Sequence, residues 1–180
     1  PTYFDEYDPL GNLKKVRNSL QEITKFDYNL DESLKLLELS KDNKKATINY
    51  EYDTKKRNTN LITPSNSRYS FVYDDYDNLV KVLLDNNVIY KYEYDAIDGS
   101  LLKVFYGENG SYYEFNYSDD LLNEIYFGDG LNNKTLKYKF VYDRFKRVKE
   151  VLNENNESLK NIEYYEDDSL KTLTTRGTRV

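Results

Sequence analysis

Carboxylates are the side chains of this sequence whose type and spacing could do chemistry. They gather in three short clusters: Asp74, Asp75 and Asp77; Asp119 and Asp120; and Asp167 and Asp168. Carboxylate oxygens are ligands that calcium prefers, but no cluster has the order of an EF-hand loop. Each cluster directly follows a predicted strand, where an Asp side chain can accept a backbone hydrogen bond and stabilise a turn. We therefore interpret the clusters as turns and predict no metal site and no cofactor.

A pair of carboxylates can also hydrolyse a glycosidic bond without histidine. With 32 acidic residues in a chain of 180, some pair must lie at a suitable distance by chance. The chain has no His and no Cys, which excludes histidine-dependent triads, cysteine nucleophiles, disulfides and the usual zinc sites. We predict that the protein is not an enzyme and has no catalytic residues.

Charge and hydropathy exclude two classes of partner. The net charge of −6 and the pI near 4.9 argue against a duplex nucleic-acid binder, which needs a basic surface. No apolar run approaches the roughly 20 residues that a membrane-spanning helix requires. The start at Pro1 and the absence of Met favour a piece excised or processed from a larger protein.

The stretch from Val88 to Asp95, Val-Ile-Tyr-Lys-Tyr-Glu-Tyr-Asp, alternates aromatic and charged residues with the period of a β-strand. The same arrangement returns in Tyr69-Ser-Phe-Val-Tyr73-Asp74, Tyr113-Glu-Phe-Asn-Tyr117 and Tyr138-Lys-Phe-Val-Tyr142-Asp143. We call the last aromatic residue of each such strand the anchor. The anchors are Tyr7, Tyr28, Tyr52, Tyr73, Tyr94, Tyr117, Tyr142 and Tyr164, spaced by 21 to 25 residues. A period in this range indicates a repeat architecture of supersecondary units.

Most repeats also carry apolar residues six and nine positions after the anchor, as Leu79 and Val82 do after Tyr73; in the third repeat Asn58 stands at the first position and only Leu61 matches. Two repeats show this pair shifted by one residue, which a change in turn length would produce. A separation of three places the two residues on opposite faces of a regular strand. Packing of the first residue at the turn exit, a β-bulge, or partial cover on both faces would each reconcile the pattern with a sheet.

Each repeat therefore predicts a strand, a polar turn, a return strand and a second turn. The fold class predicted is all-β, an antiparallel meander of about eight β-hairpin repeats over residues 1–180. Because open sheets of more than about ten strands curl, we expect a strongly curled sheet, a shell fragment or an open barrel. Residues 33–39 are predicted as a return strand and residues 40–45 as a turn. Residues 54–60 and 64–68 are polar and poorly patterned, and we predict an elaborated loop there in preference to a binding patch because charge runs are usually solvated.

The chain has 20 Tyr and 8 Phe, and a buried Tyr hydroxyl needs a hydrogen-bond partner. We therefore expect the Tyr hydroxyls to reach water on a wet concave surface that could bind a glycan or a peptide. The residues predicted to line it are Tyr69, Tyr73, Tyr90, Tyr92, Tyr94, Tyr113, Tyr117, Tyr138, Tyr142 and Tyr164. The alternative is that these Tyr residues only hold the sheet together.

The run Tyr7-Asp-Pro-Leu-Gly-Asn-Leu-Lys-Lys-Val16 resembles the YD repeat, also called the RHS repeat, and the strand Tyr90–Asp95 matches the segment that precedes it in that family. The resemblance covers nearly the whole chain. It departs where Gly11 of the first repeat is replaced by Asp77, Lys146 and Asp168 in later ones. The resemblance implies a β-shell in a large secreted or cell-surface protein, in bacterial toxin systems around a cytotoxic segment.

Two hypotheses about function follow. The first is a non-catalytic shell or scaffold segment of a secreted or bacterial cell-surface protein, with neighbouring repeats as its partners. The second is an independent surface module that binds a glycan or a peptide on its Tyr-lined face.

Overall fold

The computed structural model describes residues 1–131, 133–176 and 178–179, and this part of the chain consists of β-strands and turns. It contains no helix, and so none that could span a membrane. The strands are β1 (Thr2–Tyr7), β2 (Leu13–Asn18), β3 (Ile23–Tyr28), β4 (Leu34–Lys41), β5 (Lys44–Tyr52), β6 (Asn58–Ile62), β7 (Arg68–Tyr73), β8 (Leu79–Leu84), β9 (Asn87–Tyr94), β10 (Leu101–Tyr106), β11 (Tyr112–Ser118), β12 (Leu121–Gly128), β13 (Lys134–Tyr142), β14 (Val148–Leu152), β15 (Ser158–Tyr164), β16 (Leu170–Thr175) and β17 (Thr178–Arg179).

The chain divides into two units, Pro1–Ile89 and Tyr90–Val180, and each is an antiparallel meander. In the first unit, each strand from β1 to β7 pairs with the next strand along the chain, up to β8. In the second unit, the strands from β9 to β17 follow the same rule. The all-β meander of hairpin repeats predicted from the sequence is confirmed, and every anchor Tyr is at or within one residue of the end of its strand.

Very little of the described chain is buried. Among the described residues, the buried apolar side chains are Val82 and Val151, with 8% and 9% of their surface exposed, and no side chain is fully enclosed. Both residues lie nine positions after an anchor. Most strand residues are half-buried, which is the burial expected when side chains pack against neighbours on the same sheet. The strands are therefore held by contacts within the sheet and not by a closed core.

A β-bulge explains the apolar residues at positions six and nine. Tyr73 pairs with Leu79 and Phe71 pairs with Val82, but the register shifts between them because Val80 is an extra residue on β8. Residues directly opposite each other share a face, so the bulge brings Leu79 and Val82 to the face of their anchor. The same shift beside the anchor recurs in every hairpin that begins with an anchor strand. The bulge is thus the correct one of the three alternatives.

Four of the first turns share one hydrogen-bond pattern. In the turn that follows Tyr73, one carboxylate oxygen of Asp74 accepts hydrogen bonds from the backbone N–H groups of Tyr76 and Asn78, both at 2.9 Å. Asp8, Asp53 and Asp143 bind the corresponding N–H groups of their own turns. The two shifted repeats differ in turn length, as predicted: Asp95 closes a longer turn onto Ser100, and only Asp119 and Asp120 separate β11 from β12.

The fourth residue of the common turn has a left-handed backbone whether or not it is Gly. Its φ is 91° at Gly11, 70° at Asp77, 62° at Lys146 and 65° at Asp168. A non-glycine residue in this region carries a backbone cost of about 1–2 kcal/mol. The hydrogen bonds of the turn are therefore sufficient to impose the geometry that the first repeat reaches with Gly.

The polar segment of the third repeat is not the elaborated loop that was predicted. Residues 53–57 form the common turn, β6 follows directly, and Thr63 closes a second turn by accepting the N–H of Ser67 at 3.1 Å. The prediction was wrong because this turn is held by the carboxylate of Asp53 and by a left-handed backbone at Lys56, and polar composition indicates neither feature. Of residues 40–45, only Asp42 and Asn43 form the turn, since β4 and β5 extend into the rest.

The turn hydrogen bonds shift the pKa of the Asp residues that accept them. Partial desolvation raises the pKa of the Asp74 carboxyl, but hydrogen bonds from Asn78 and Tyr76 outweigh it, and the pKa lies below its ordinary value of 3.8. The pKa values of Asp8, Asp53 and Asp143 are lowered for the same combination of reasons. The ionised carboxylate is thus the form that the folded turn favours.

We predict that stability is lost in acid through these turns. A carboxyl whose folded pKa is lowered contributes fully above the unfolded value, near 3.8, and loses its contribution as the pH falls through the folded value. Asp74→Asn keeps the acceptor oxygen but removes the charge. Its urea midpoint should therefore fall less than that of the wild type between pH of about 5 and about 2.5. Asp75→Asn, at a position that makes no turn hydrogen bond in the described chain, is the control. Equal pH dependence of both variants would contradict the prediction.

Candidate functional site

The ten Tyr residues predicted to line a surface lie on a common face within each unit. We call this the aromatic face: the side of the sheet that carries the anchors and the apolar residues paired with them. In the first unit it includes Tyr69 and Tyr73, which are separated by four residues on β7. In the second unit the paired registers place the other eight on one side. The registers thus agree with the period-two pattern of the sequence, and ligand binding by the aromatic face stays a prediction.

The opposite side, here called the charged face, carries ion pairs between neighbouring strands. In the first unit Lys15 contacts Glu6 at 3.1 Å and Arg68 contacts Glu51 at 2.6 Å. In the second unit Lys134 contacts Glu114 at 2.5 Å and lies 4.2 Å from the centre of the Tyr126 ring. Exposed pairs of this kind contribute little each. Together the pairs place charged side chains across the charged face, which stays in contact with water.

At six junctions in the described part of the chain, the hydroxyl of the anchor Tyr joins its repeat to the one before it. The hydroxyl of Tyr142 donates to the backbone carbonyl of Leu122 at 2.6 Å, and Leu122 is the residue opposite the preceding anchor, Tyr117. The same bond recurs, at 2.9 to 3.0 Å, in five other pairs: Tyr28 to Leu13, Tyr52 to Leu34, Tyr73 to Asn58, Tyr117 to Leu101, and Tyr164 to Val148.

This bond occurs where the backbone ladder between repeats has ended. The last residue pair between strands β6 and β7 is Asn60 with Ser70. Tyr73 lies three residues after Ser70 on β7, beyond the end of this ladder. The ladder between β2 and β3 ends in the same way at Lys15. A side-chain hydroxyl therefore replaces the missing backbone bond. The expectation that the Tyr hydroxyls face water is wrong for these six, and their bond to the carbonyl explains why the anchor is Tyr and not Phe.

Two arginines reinforce the same junctions. Arg57 binds Asp53 of its own turn at 2.7 Å, reaches Asp77 of the next turn at 2.5 Å, and lies 4.6 Å from the centre of the Tyr73 ring. Such stacking of a guanidinium on an aromatic ring is favourable. Each of these contacts is with a residue of its own turn or of the following repeat.

Arg147 makes the matching contacts in the second unit, with Asp143, Asp168 and the ring of Tyr164 at 4.5 Å. Sequence reasoning missed both arginines. The signal that could have found them is an Arg four residues after a turn Asp, which occurs at Asp53 and again at Asp143.

An aromatic row crosses the aromatic face of the second unit away from the anchors. The ring centres of Tyr90 and Tyr106 are 5.6 Å apart, those of Tyr106 and Tyr113 are 6.2 Å apart, and those of Tyr113 and Phe127 are 5.4 Å apart. The edge-to-face and tilted orientations are the ones that aromatic pairs prefer. Tyr90 and Tyr106 remain 37% and 45% exposed, so part of the row faces solvent.

Several carboxylates of the acidic clusters take part in turn hydrogen bonds or in ion pairs. Asp74 closes its turn, Asp77 binds Arg57 and Lys55, and Asp168 binds Arg147. Asp119 and Asp120 line an open depression together with Asp95 and Asp98. Across the described residues no group of three or more acidic side chains is close enough to hold a metal ion. The contacts of these carboxylates therefore join neighbouring turns and repeats.

Comparison with known proteins gives a family match. The model of a family described as Teneurin YD-shell matches residues 4–132. No match was found among curated protein sequences.

Solved structures with the same fold belong to Tc toxins. The crystal structure of TcdB2-TccC3 superposes with a TM-score of 0.72 at 14% identity, over 92% of this chain. The Tc holotoxin pore of Photorhabdus luminescens, carrying a mutation in TccC3, gives 0.70 at 15% identity over 92% of this chain. The chain spans only about a tenth of the length of these proteins, namely 10% and 9%. At this identity the likeness shows the fold alone.

We predict that Tyr142→Phe destabilises the second unit by about 1 kcal/mol, because the Leu122 carbonyl loses its donor. Tyr138→Phe is the matched control. It lies on the same strand and face, and its hydroxyl makes no hydrogen bond within the described residues. Urea denaturation at neutral pH should separate the two variants. If they unfold at the same urea concentration, the hydroxyl bond contributes nothing measurable.

Proposed function

The chain belongs to the teneurin YD-shell family, and we propose on that basis that it is a non-catalytic structural segment, part of the shell or scaffold of a larger secreted or cell-surface protein of the bacterial toxin type. Residues 1–180 would form one block of repeats in that protein. The family assignment and the Tc toxin fold support a shell segment.

The observation that carries this proposal is the Tyr hydroxyl bond between successive repeats. It occurs in the same place at six junctions of the described chain. Each bond links one repeat only to its neighbour, so the arrangement can be extended by further repeats without change. Repeat proteins gain stability in this way, from interfaces between nearest neighbours. A shell wall is built by adding repeats side by side, and these junctions allow that addition.

The outer edge of β1 shows what a preceding repeat would meet. All six residues of β1 are exposed, including Phe4 and Tyr7 at 60% and 58% of their surface. Both residues lie on the aromatic face, where they pair with Val16 and Leu13. Tyr7 occupies the anchor position, so its hydroxyl is placed to bind the carbonyl of a preceding return strand. Neighbouring repeats are therefore the partners that this edge fits.

We predict that an added repeat stabilises the chain through Tyr7. A copy of residues 68–88 placed directly before Thr2 keeps the spacing that separates Tyr73 from Tyr94. The extended chain should unfold at a higher urea concentration. Tyr7→Phe should then cost about 1 kcal/mol in the extended chain and close to nothing in the original one.

The double comparison separates a specific junction from a general gain in length. Equal stability of the original and extended chains would contradict the shell proposal. A stabilisation that is insensitive to Tyr7→Phe would show that the added repeat does not dock as the internal ones do.

Glycan binding by the aromatic row is a second candidate function, favoured by the exposed rings of Tyr90 and Tyr106. A flat sugar face stacks on such rings. We predict that a glycan which binds the chain on an array loses most of its binding in Tyr106→Ala and keeps it in Tyr76→Ala, an exposed turn residue. An array without any hit, or equal loss in both variants, would remove this candidate.

A further inference from the structure

Exposed apolar side chains occupy the tips of the first turns. In the first unit they are Leu10, Leu30 and Tyr76, which are 70%, 104% and 81% exposed. In the second unit Ile97, Phe145 and Tyr165 are exposed in the corresponding turns. Exposed apolar residues that occur singly are common on proteins, but here three of the four successive first turns of one unit carry one.

The fold does not require an apolar residue at these tips. Leu10 and Tyr76 use their backbone N–H groups to bind Asp8 and Asp74, which leaves the side chains outside the turn. Lys55 takes the same position in the third repeat, with the same backbone bond to Asp53. A charged residue therefore satisfies the turn equally well. Formation of the turn therefore does not account for the apolar residues Leu10 and Tyr76 at this position.

The tips form a line along one end of the first unit. Alternate turns of a meander lie at the same end, and two strands per repeat space them about 10 Å apart. From Leu10 to Tyr76 is three such steps, or about 30 Å. We call the four turns, residues 8–12, 29–33, 53–57 and 74–78, the first-turn rim.

The first-turn rim is acidic. It carries seven carboxylates and three basic residues. The three basic residues are already paired with carboxylates of the rim: Lys55 and Arg57 with Asp77, and Lys56 with Asp31. Around the apolar tips, Asp8, Glu32 and Asp75 leave the local charge negative.

We propose that the first-turn rim binds a protein partner whose surface presents apolar side chains flanked by Lys and Arg. The apolar tips supply the contact area and the carboxylates supply complementary charge, which favours encounter and excludes acidic partners. Two rims of this chain would repel each other, and an anionic lipid surface would repel either, so charge disfavours both as occupants. The rim lies at the turns and not at the strand edges, so this inference is independent of the shell proposal.

The test uses a synthetic helical peptide of about 20 residues, long enough at 1.5 Å per residue to span the 30 Å rim. Leu residues on one face and Lys residues elsewhere reproduce the chemistry of the partner. Its affinity for the full chain, measured by fluorescence anisotropy, should weaken at least tenfold in the variant Leu10→Ser, Leu30→Ser, Tyr76→Ser, and should weaken with added salt. Leu20→Ser, at an exposed second turn, should leave it unchanged.

A peptide with Ser in place of Leu should not bind. Because the tips are neutral to folding, the triple variant should keep the wild-type urea midpoint; if it does not, Leu10→Lys, which copies Lys55, replaces it. The proposal is overturned if the triple variant binds as tightly as the wild type or if the Ser peptide binds equally well. It is also overturned if the chain prefers phosphatidylcholine vesicles to the peptide, or if the rim drives self-association in sedimentation.

Discussion

Successive repeats of this chain are joined by a hydrogen bond between the hydroxyl of an anchor Tyr and a backbone carbonyl of the repeat before it. The bond matters because the described chain has almost no buried core, with Val82 and Val151 as its buried apolar residues. Without a core that packs against the faces of the sheet, the strands must be stabilised by bonds to their neighbouring strands. The ladder does this along most of each strand, and the anchor does it at the end where the ladder stops.

The other recurrent features serve the same junction. The bulge beside each anchor brings the second apolar residue of the return strand, such as Val82 or Val151, onto the anchor's face, so the apolar contacts accumulate there. The Asp at the start of the turn accepts backbone hydrogen bonds that stabilise the turn before the return strand. Arg57 and Arg147 connect one turn to the next and cover the ring of the following anchor. A chain built this way can lengthen by repetition, which agrees with its place in a family of shell proteins.

The fold could be predicted from the sequence because a period-two aromatic pattern and a fixed period leave few alternatives to a hairpin meander. The spacing of Leu79 and Val82 is compatible with a bulge, with packing at the turn exit and with cover on both faces, and only the register of β7 and β8 decides among the three. The role of the Tyr hydroxyl was not predictable, because a donor and its carbonyl lie 15 to 20 residues apart in the chain and meet only through pairing. The third repeat was misjudged because its turn bonds use Asp53 and Thr63 in a segment of ordinary polar composition.

The most direct test of this account is the exchange rate of the Tyr hydroxyl protons, measured by NMR spectroscopy. A hydroxyl proton that is bonded to a half-buried carbonyl exchanges slowly with water, whereas an exposed one is lost in fast exchange. The account predicts protected hydroxyl resonances for Tyr28, Tyr52, Tyr73, Tyr117, Tyr142 and Tyr164, and none for Tyr76 or Tyr138. Exchange as fast at the six anchors as at Tyr76 would contradict the claim that these hydroxyls join the repeats.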